Sequence, residues 1–359
     1  MRERMNINSF GVGVFFLLLA SCSRSDLPAA PRLLSANQIL PTIRRLPKDV
    51  PFSLSGMAFF KGKLYVSSNV GLLVVSGAKP EGLYSWIKRD DVIEGPWLDI
   101  ANDTLWIQHA HDDSLYRFDG SAWHRVELPV PPNGFTRGDV LTGFLGISTP
   151  TAFWLVGGGH VWRFQREGES WVPEAEPPAP EYSAIRAIAP LSSSMLYVVR
   201  EGTEVTPPSK YAVYDRENNW AREGLSEKMD FGGVVPSTEG VYVRATDGTL
   251  FLIRPGNVEI VETPGRCEAI AQTSKGKLLA SFVDRGIFVH EDGKWNLRAP
   301  YPYGKQEGEH WAYLAESNGQ IAYATDSVPQ IQANDQFTDS GSVALWVQRA
   351  DKLERVPFD

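Results

Sequence analysis

The stretch SLYRFDGSAWHRV at residues 114–126 contains two strand-like runs separated by Asp119-Gly120. Alternation of apolar and polar residues is typical of a half-buried strand, and Asp-Gly between two such runs predicts a tight hairpin turn in which glycine permits positive φ. Similar text recurs at residues 160–173 (HVWRFQREGESWVP) and 286–297 (GIFVHEDGKWNL). A hairpin that recurs along one chain indicates a repeat architecture.

Seven short apolar runs follow one another at a mean spacing of about 45 residues. They are GLLVV at 71, SLYRF at 114, HVWRF at 160, KYAVY at 210, TLFLI at 249, GIFVH at 286 and VALWV at 343. Strand-like runs precede them, and a turn with one more strand follows, so each unit contains four strands. Because this period and strand count are typical of one propeller blade, the sequence predicts an all-β fold, a seven-bladed β-propeller of four-stranded antiparallel blades.

Burial explains why such units form a ring. A four-stranded sheet cannot bury either face alone, whereas blades packed face to face around an axis bury both faces and protect their edges. We expect the propeller at residues 51–359, with blades at about 51–94, 95–138, 139–181, 182–228, 229–265, 266–308 and 309–359. Since the last unit contains all four of its strands, the ring closes by blade packing alone unless residues 33–48 add a strand.

The outer hairpin resembles the sensor-type propeller repeats of bacterial extracytoplasmic proteins, whose third and fourth strands have the rough pattern ly.yDG..W. The matching text is residues 115–120 followed by Trp123, and residues 287–293 followed by Trp295. Blades 1, 4, 5 and 7 lack the pair of Asp-Gly and Trp. The resemblance implies the fold, and a fold does not by itself imply a function.

Residues 1–21 have the pattern of a secretory signal. Arg2 and Arg4 precede an uncharged apolar run at residues 10–20, which is too short to span a bilayer. Export is therefore expected, and residues 22–50, which contain several prolines, are expected to form a tether between the signal and the propeller.

The text LASC at residues 19–22 resembles the lipobox of bacterial lipoproteins. The resemblance implies cleavage before Cys22 and acylation of that residue, palmitate included, which anchors the protein to the membrane of the cell envelope. Ser23 stands where an aspartate would favour the inner membrane, so the resemblance favours the outer membrane, with the propeller in the periplasm or at the surface. An ordinary signal peptide with a chance cysteine is the alternative.

Composition narrows the class of partner. The chain of 359 residues has a formal net charge of −8 and a pI of about 5.4, which makes a nucleic acid partner unsuitable. Its two cysteines are Cys22 and Cys267, so lipidation of Cys22 leaves no disulfide in the mature chain. The apolar run around Cys267 predicts a buried small hydrophobe rather than a nucleophile.

Charged residues within predicted innermost strands are the first candidate site residues. Asp99 in WLDIA, Arg186 in AIRAI and Glu268 in CEAIA stand among apolar neighbours. Innermost strands line the central channel of a propeller, so each charge is either paired structurally or presented to a ligand. Structural pairing is the favoured interpretation, because an unpaired buried charge is costly.

The ends of second strands and the loops after them supply a second set, at the predicted rim of the propeller. These candidates are Gln108, Arg200, Arg244, Asp284 and Arg285. Two loops at this rim are longer than the rest, EGTEVTPPS at residues 201–209 and DSVPQIQANDQFTDSG at residues 326–341. Long polar loops on a rigid scaffold commonly bind ligands, and tolerated surface insertions are the alternative.

The cluster HAHDD supplies weak candidates for metal ligands, namely His109, His111 and Asp112, with His160 in the equivalent loop of the next blade. No second cluster completes a ligand shell, so neither a metal nor a cofactor is predicted. The chain also lacks GxSxG, HExxH and P-loop motifs, so no catalytic residue is assigned.

We therefore expect an envelope lipoprotein whose propeller is a non-catalytic binding or scaffold module, recognising a protein or glycan partner through one rim. The alternative is a metal-dependent propeller hydrolase or lyase with a site at the channel mouth, and a third hypothesis is a subunit of an envelope assembly. The sequence leaves the oligomeric state open.

Overall fold

The computed structural model divides the chain into two compact units, Met1–Leu33 and Leu34–Asp359. The residues that the structure describes all lie in the second unit: 41–42, 54–68, 71–77, 79–84, 97–101, 104–109, 114–126, 145–149, 152–157, 160–167, 170–174, 184–190, 195–201, 211–215, 219–223, 231–254, 257–302, 310–327, 343–350 and 352–357. Within these ranges, every regular element is a β-strand, and no helix is present that has the length and hydropathy needed to cross a membrane.

The strands form seven antiparallel sheets, and each sheet contains four strands that follow one another in the chain and are hydrogen-bonded in that order. We call these sheets blades 1 to 7. Blade 1 contains β2 (Leu54–Phe60), β3 (Lys63–Ser68), β4 (Gly71–Ser76) and β5 (Lys79–Tyr84). Blade 2 contains β6 (Trp97–Ala101), β7 (Thr104–His109), β8 (Ser114–Phe118) and β9 (Trp123–Val126). Blade 3 contains β10 (Leu145–Thr149), β11 (Ala152–Gly157), β12 (His160–Glu167) and β13 (Ser170–Glu174).

The remaining blades repeat this order. Blade 4 contains β14 (Ala184–Pro190), β15 (Met195–Glu201), β16 (Tyr211–Asp215) and β17 (Asn219–Glu223). Blade 5 contains β18 (Phe231–Ser237), β19 (Gly240–Ala245), β20 (Leu250–Arg254) and β21 (Asn257–Ile260). Blade 6 contains β22 (Cys267–Gln272), β23 (Leu278–Phe282), β24 (Gly286–Glu291) and β25 (Lys294–Ala299). Blade 7 contains β26 (His310–Ser317), β27 (Gln320–Ser327), β28 (Val343–Arg349) and β29 (Lys352–Arg355).

The seven first strands form a closed cycle. Each of β2, β6, β10, β14, β18, β22 and β26 lies against the first strand of the next blade, and β26 lies against β2. This cycle places the first strands innermost and makes the fold a seven-bladed β-propeller.

A further strand, β1 (Pro41–Thr42), answers the question of ring closure. It pairs with β5, where Pro41 faces Tyr84 and Thr42 faces Leu83, so it extends blade 1 at its outer edge. Residues 33–48 therefore contribute a strand, and this strand belongs to blade 1. The four strands of blade 7 all come from the C-terminal part of the chain. The segment expected to form a tether thus includes a short strand, the possibility that the sequence left open.

The seam between blades 7 and 1 is closed by packing. One apolar cluster spans it and contains Leu54, Phe59, Leu64, Val66, Leu73 and Val75 from blade 1, and Ala315, Ala322, Ala324, Leu345, Val347 and Val356 from the C-terminal part of the chain. Burial of such side chains stabilises a protein by about 1.5–3 kcal/mol for each large aliphatic residue. Among the described strands, none is shared by the two ends of the chain, so ring closure depends on packing across this seam.

Aromatic side chains fill the space between neighbouring blades. Trp123 of blade 2 stacks on Phe118, with ring centroids 4.7 Å apart, and meets the edge of Tyr84 of blade 1 at 5.6 Å. In blade 6, Trp295 contacts Phe282 at 4.8 Å and donates its indole N–H to the Glu262 carbonyl, which follows the last strand of blade 5. The tryptophan of the recurring hairpin thus packs one blade against the blade before it.

The turn of that hairpin is a compact polar structure. Gly120 has a φ of 98°. The Asp119 carboxylate accepts hydrogen bonds from the Ser121 hydroxyl and from the backbone N–H groups of Ser121 and Ala122, and Oδ2 lies 3.1 Å from His124 Nε2. The Ser121 hydroxyl bond is the largest of the effects that hold the pKa of Asp119 below its ordinary value. The motif that recurs in the sequence is therefore architectural.

Both long loops begin later than the sequence indicates. Strand β15 includes Glu201, and strand β27 runs through Asp326 to Ser327, so these residues belong to strands. The first strand of blade 7, β26, is eight residues long, as is β27, and its first residue, His310, pairs with Ser327. The β-ladder between β26 and β27 therefore includes Asp326 and Ser327, which the sequence assigned to the loop. The expectation that the blade 7 loop starts at Asp326 was wrong for this reason.

Candidate binding rim

The first strands of four blades carry a β-bulge near their N-terminal ends. The register shifts between Leu54 and Gly56, between Ile185 and Ala187, between Phe231 and Gly233, and between Cys267 and Ala269. The extra residues are Ser55, Arg186, Gly232 and Glu268. A bulge is where a strand re-aims a side chain, and the same backbone position carries a different residue in each of these four blades.

Each bulge lies where its first strand begins and the neighbouring second strand ends. We call this end of the propeller the bulge rim. Since equivalent ends of repeated blades lie on the same side of the ring, the connections between blades and the loops between second and third strands share this rim. Two of the predicted channel residues, Arg186 and Glu268, are bulge residues. Asp99 is not, because it pairs directly with Trp106 within an unbroken ladder.

The structure places the predicted rim residues at this same end. Gln108 pairs with Trp97, the first residue of β6. Arg200 pairs with Ile185 before the bulge of blade 4, whereas Arg244 pairs with Gly233 after the bulge of blade 5. The two arginines therefore occupy different positions relative to their bulges, although the sequence places both at the ends of second strands.

Asp284 and Arg285 form the tip of the tight turn between β23 and β24, and both side chains are exposed. The Arg285 N–H donates to the Phe282 carbonyl at 3.0 Å, and Asp284 has a φ of 55°, a left-handed conformation that aspartate tolerates better than most residues. Among the rim candidates whose side chains the structure describes, Asp284 and Arg285 are exposed, whereas Arg244 is half-buried.

Glu268 is held between blades 6 and 7. Its neighbours Cys267 and Ala269 are buried, whereas Glu268 itself is half-buried. The Tyr301 hydroxyl lies 3.0 Å from both carboxylate oxygens, and the Tyr323 hydroxyl donates to Oε2 at 3.1 Å. The two phenol rings lie 6.1 Å apart. The carboxylate is therefore fixed by hydrogen bonds from two neutral donors, which agrees with structural pairing while leaving the group partly exposed at the rim.

The charges around Glu268 maintain this arrangement. Burial raises the pKa of Tyr323 far above its ordinary value, and the Glu268 carboxylate adds to the effect, so the phenol stays a neutral donor. Burial also lowers the pKa of Arg244, although the nearby Glu268 opposes that effect. A guanidinium from blade 5, a carboxylate from blade 6 and a tyrosine from blade 7 thus lie near one another across the rim.

Serines stabilise two of the bulges. The Ser55 and Ser67 hydroxyl oxygens lie 2.7 Å apart in blade 1, and the Ala269 N–H donates to the Ser281 hydroxyl at 3.1 Å in blade 6. Ser67 and Ser281 are equivalent, because each lies opposite the residue that follows its bulge. A bulge leaves ladder groups without backbone partners, and a serine hydroxyl can satisfy them.

Reasoning from the sequence missed Tyr301, Tyr323, Ser67 and Ser281. Tyr323 lies in a sequence typical of a core strand, and Tyr301 lies in a connection between blades. The sequence pattern therefore does not distinguish either tyrosine from a residue that only packs. The serines had a detectable signal, since Ser67 in VSS and Ser281 in ASF stand at the polar end of an otherwise apolar second strand.

Among the residues that the structure describes, no group of three or more His, Cys, Asp or Glu side chains is arranged to hold a metal ion. His109 is the last residue of β7 and His160 is the first residue of β12. His111, Asp112 and Cys22 lie outside the described residues. Cys267 is buried, and burial raises the pKa of its thiol to about 12, which makes it a poor nucleophile.

No protein-family model and no curated protein matches the chain. Among solved structures, the extracellular domain of BT3049 from B. thetaiotaomicron, described as a hybrid two-component system, is similar over 85% of this chain and 47% of its own, at 11% identity and a TM-score of 0.53. The extracellular domain of BT4673 from the same organism, also described as a hybrid two-component system, is similar over 89% of this chain and 39% of its own, at 14% identity and a TM-score of 0.50.

This chain therefore spans less than half the length of either neighbour. At 11–14% identity, the likeness shows that the fold is shared. Both neighbours are described as extracellular domains of hybrid two-component systems, and their likeness to this chain concerns the fold alone.

Proposed function

We propose that this protein is an exported propeller that binds a protein or glycan partner through the bulge rim, as a recognition or sensing module rather than an enzyme. The observation that carries the proposal is the set of bulges. They place chemically different residues, Ser55, Arg186, Gly232 and Glu268, at one repeated backbone position, whereas the repeated residues themselves form the core. A surface that varies on a constant scaffold is where recognition is expected.

The preorganisation of Glu268 supports this role. Two tyrosine hydroxyls fix a partly exposed carboxylate in one orientation, and the accessible Asp284 and Arg285 belong to the same blade. Because these groups are held before a partner arrives, binding would cost little ordering of side chains. Protein and glycan partners both offer hydrogen-bonding groups that suit such a rim.

Removing the accessible charges of the rim is expected to weaken binding. In the double variant Asp284→Ala and Arg285→Ala, we expect the affinity for the partner to fall by about 10-fold or more, which corresponds to about 1.4 kcal/mol. The measurement is a glycan array together with cross-linking and pull-down from envelope extract, followed by titration of the captured partner.

The matched control replaces exposed charges of the same kind at the opposite end of blade 6: Asp292→Ala in the turn after β24 and Lys294→Ala at the start of β25. This control is expected to bind as the wild type does. Equal losses in both double variants would contradict binding through the bulge rim.

We also propose that Cys22 anchors the protein to the envelope membrane, and the outer membrane is the favoured site. Replacing Cys22 by alanine is expected to abolish incorporation of labelled palmitate and to move the protein from the membrane fraction to the soluble periplasmic fraction. Membrane attachment that persists unchanged in the variant would refute the anchor, whereas the binding of a partner by the rim is tested independently above.

A further inference from the structure

Blade 7 holds both backbone polar groups of Leu54, the first residue of β2. The Leu54 N–H donates to Asp326 Oδ2 at 2.9 Å, and the Tyr313 hydroxyl donates to the Leu54 carbonyl at 2.7 Å. Asp326 lies near the end of β27 and Tyr313 lies on β26, so two strands of blade 7 grip one residue of blade 1. These bonds join residues more than 250 positions apart in the chain.

The carboxyl group in this grip is buried. Asp326 is 6% exposed and lies beside the apolar cluster that closes the seam. Burial raises its pKa to about 6, and the hydrogen bond from Leu54 offsets only part of that effect. A carboxylate would have to be desolvated here, and no cation among the described residues contributes to its pKa, so the neutral form is favoured relative to the unfolded chain.

The surroundings of Asp326 contain few other titratable groups. Of the described side chains on β2, β26, β27 and β28, Tyr313 is the titratable group that faces it. Burial raises the pKa of that phenol, and Asp326 adds a smaller contribution. Glu316 and Arg349 lie at the opposite ends of β26 and β28. The seam therefore responds to the charge of Asp326 itself.

We propose that the seam between blades 7 and 1 is a proton-sensitive latch, which the neutral Asp326 carboxyl holds closed and which loosens when that carboxyl ionises. The neutral acid still accepts the Leu54 N–H through its carbonyl oxygen. Ionisation keeps that bond but leaves a buried charge. Because each described sheet is built from the strands of one blade, this seam can part without breaking a β-ladder, which permits local opening of the ring here.

The direction of the pH dependence follows from the proton affinity. The closed seam binds the proton of Asp326 more tightly than an open seam does, so its extra stability is fully present below about pH 4 and is lost as the pH rises through about 6. Each unit of difference in pKa changes the opening equilibrium tenfold, so opening is expected to increase by up to about 100-fold between pH 4 and pH 7.5.

Hydrogen exchange of the full-length chain tests the latch. After correction for intrinsic exchange, peptides that contain Leu54 are expected to lose protection by up to about 100-fold between pH 4 and pH 7.5. Peptides from β23, within blade 6, supply an internal control and are expected to show no such dependence. If the exchange protection of the peptides that contain Leu54 changed with pH in the same way as that of the β23 peptides, the proposal would be overturned.

Two variants separate charge from structure. Asp326→Asn retains an acceptor for the Leu54 N–H and cannot ionise. The pH dependence of exchange protection at Leu54 is therefore expected to disappear, even if the substitution changes the overall level of protection. Asp326→Ala also removes the acceptor and is expected to lower protection at every pH. Asp292→Asn, in an exposed turn, is the matched control and is expected to keep the wild-type dependence. A wild-type pH dependence that persists in Asp326→Asn would refute the latch.

Discussion

Replacing Trp123 by alanine is expected to lower the free energy of unfolding by about 3–5 kcal/mol, because the change removes a large buried ring and leaves a cavity between two blades. Trp123 is 5% exposed, stacks on Phe118 at 4.7 Å and meets Tyr84 of blade 1 at 5.6 Å. Phe118 cannot fill the space without breaking other contacts, since it also packs on Phe60 and Tyr65. The measurement is urea unfolding followed by circular dichroism, with both the midpoint and the slope compared.

The control for this prediction is Leu297→Ala. Leu297 is also on the fourth strand of a blade, but 57% of it is exposed, so its loss is expected to change stability by less than about 0.5 kcal/mol. If the two variants unfolded at the same urea concentration, the packing of Trp123 between blades would not be a main source of stability.

Replacing Gly286 by alanine is expected to cost about 2–6 kcal/mol, because the new methyl group would be both strained and crowded. Gly286 begins β24 with a φ of 124°, and a Cβ there would lie 2.6 Å from the Ala299 carbonyl oxygen. That oxygen belongs to the backbone of the neighbouring strand, so the strands themselves must separate. The midpoint of thermal unfolding is expected to fall by several degrees.

Gly293→Ala provides the contrast for Gly286. Its φ of 70° is also left-handed, but a Cβ there would meet nothing within 4 Å. Only the conformational cost remains, about 1–2 kcal/mol. Equal destabilisation of the two variants would show that the close approach between β24 and β25 does not govern the requirement for glycine at position 286.

The recurring hairpin was the most predictable part of the molecule. Asp119-Gly120 forms the expected turn with positive φ at the glycine, and Trp123 packs between blades as expected from the sequence. These features depend on neighbours a few residues away, so a short stretch of sequence contains the necessary information. The period of the repeats then gave the number of blades, because each unit is one sheet.

The rim was only partly predictable. Glu268 and Arg186 stood out because they are charged residues within apolar stretches of the sequence, and the structure places both at bulges. Nothing in the sequence predicts a bulge there, because a bulge depends on the register between two strands. Nor does the sequence predict that Tyr301 and Tyr323 hold Glu268, since Tyr323 is 55 residues away in the chain. Asp326 was assigned to a loop, although it lies in a strand that contacts residue 54.

The sequence by itself determined the all-β class, the four-stranded unit, the seven repeats and the turn chemistry, because all of these are set by local alternation and by glycine in tight turns. The tertiary structure decided how the ring closes, where β1 pairs, which rim the bulges define, and that Asp326 and Tyr313 hold Leu54. Each of these depends on contacts between blades, where burial and hydrogen bonding act over hundreds of residues of chain. Closure of the ring is what turns an isolated aspartate near the end of a strand into a buried carboxyl group.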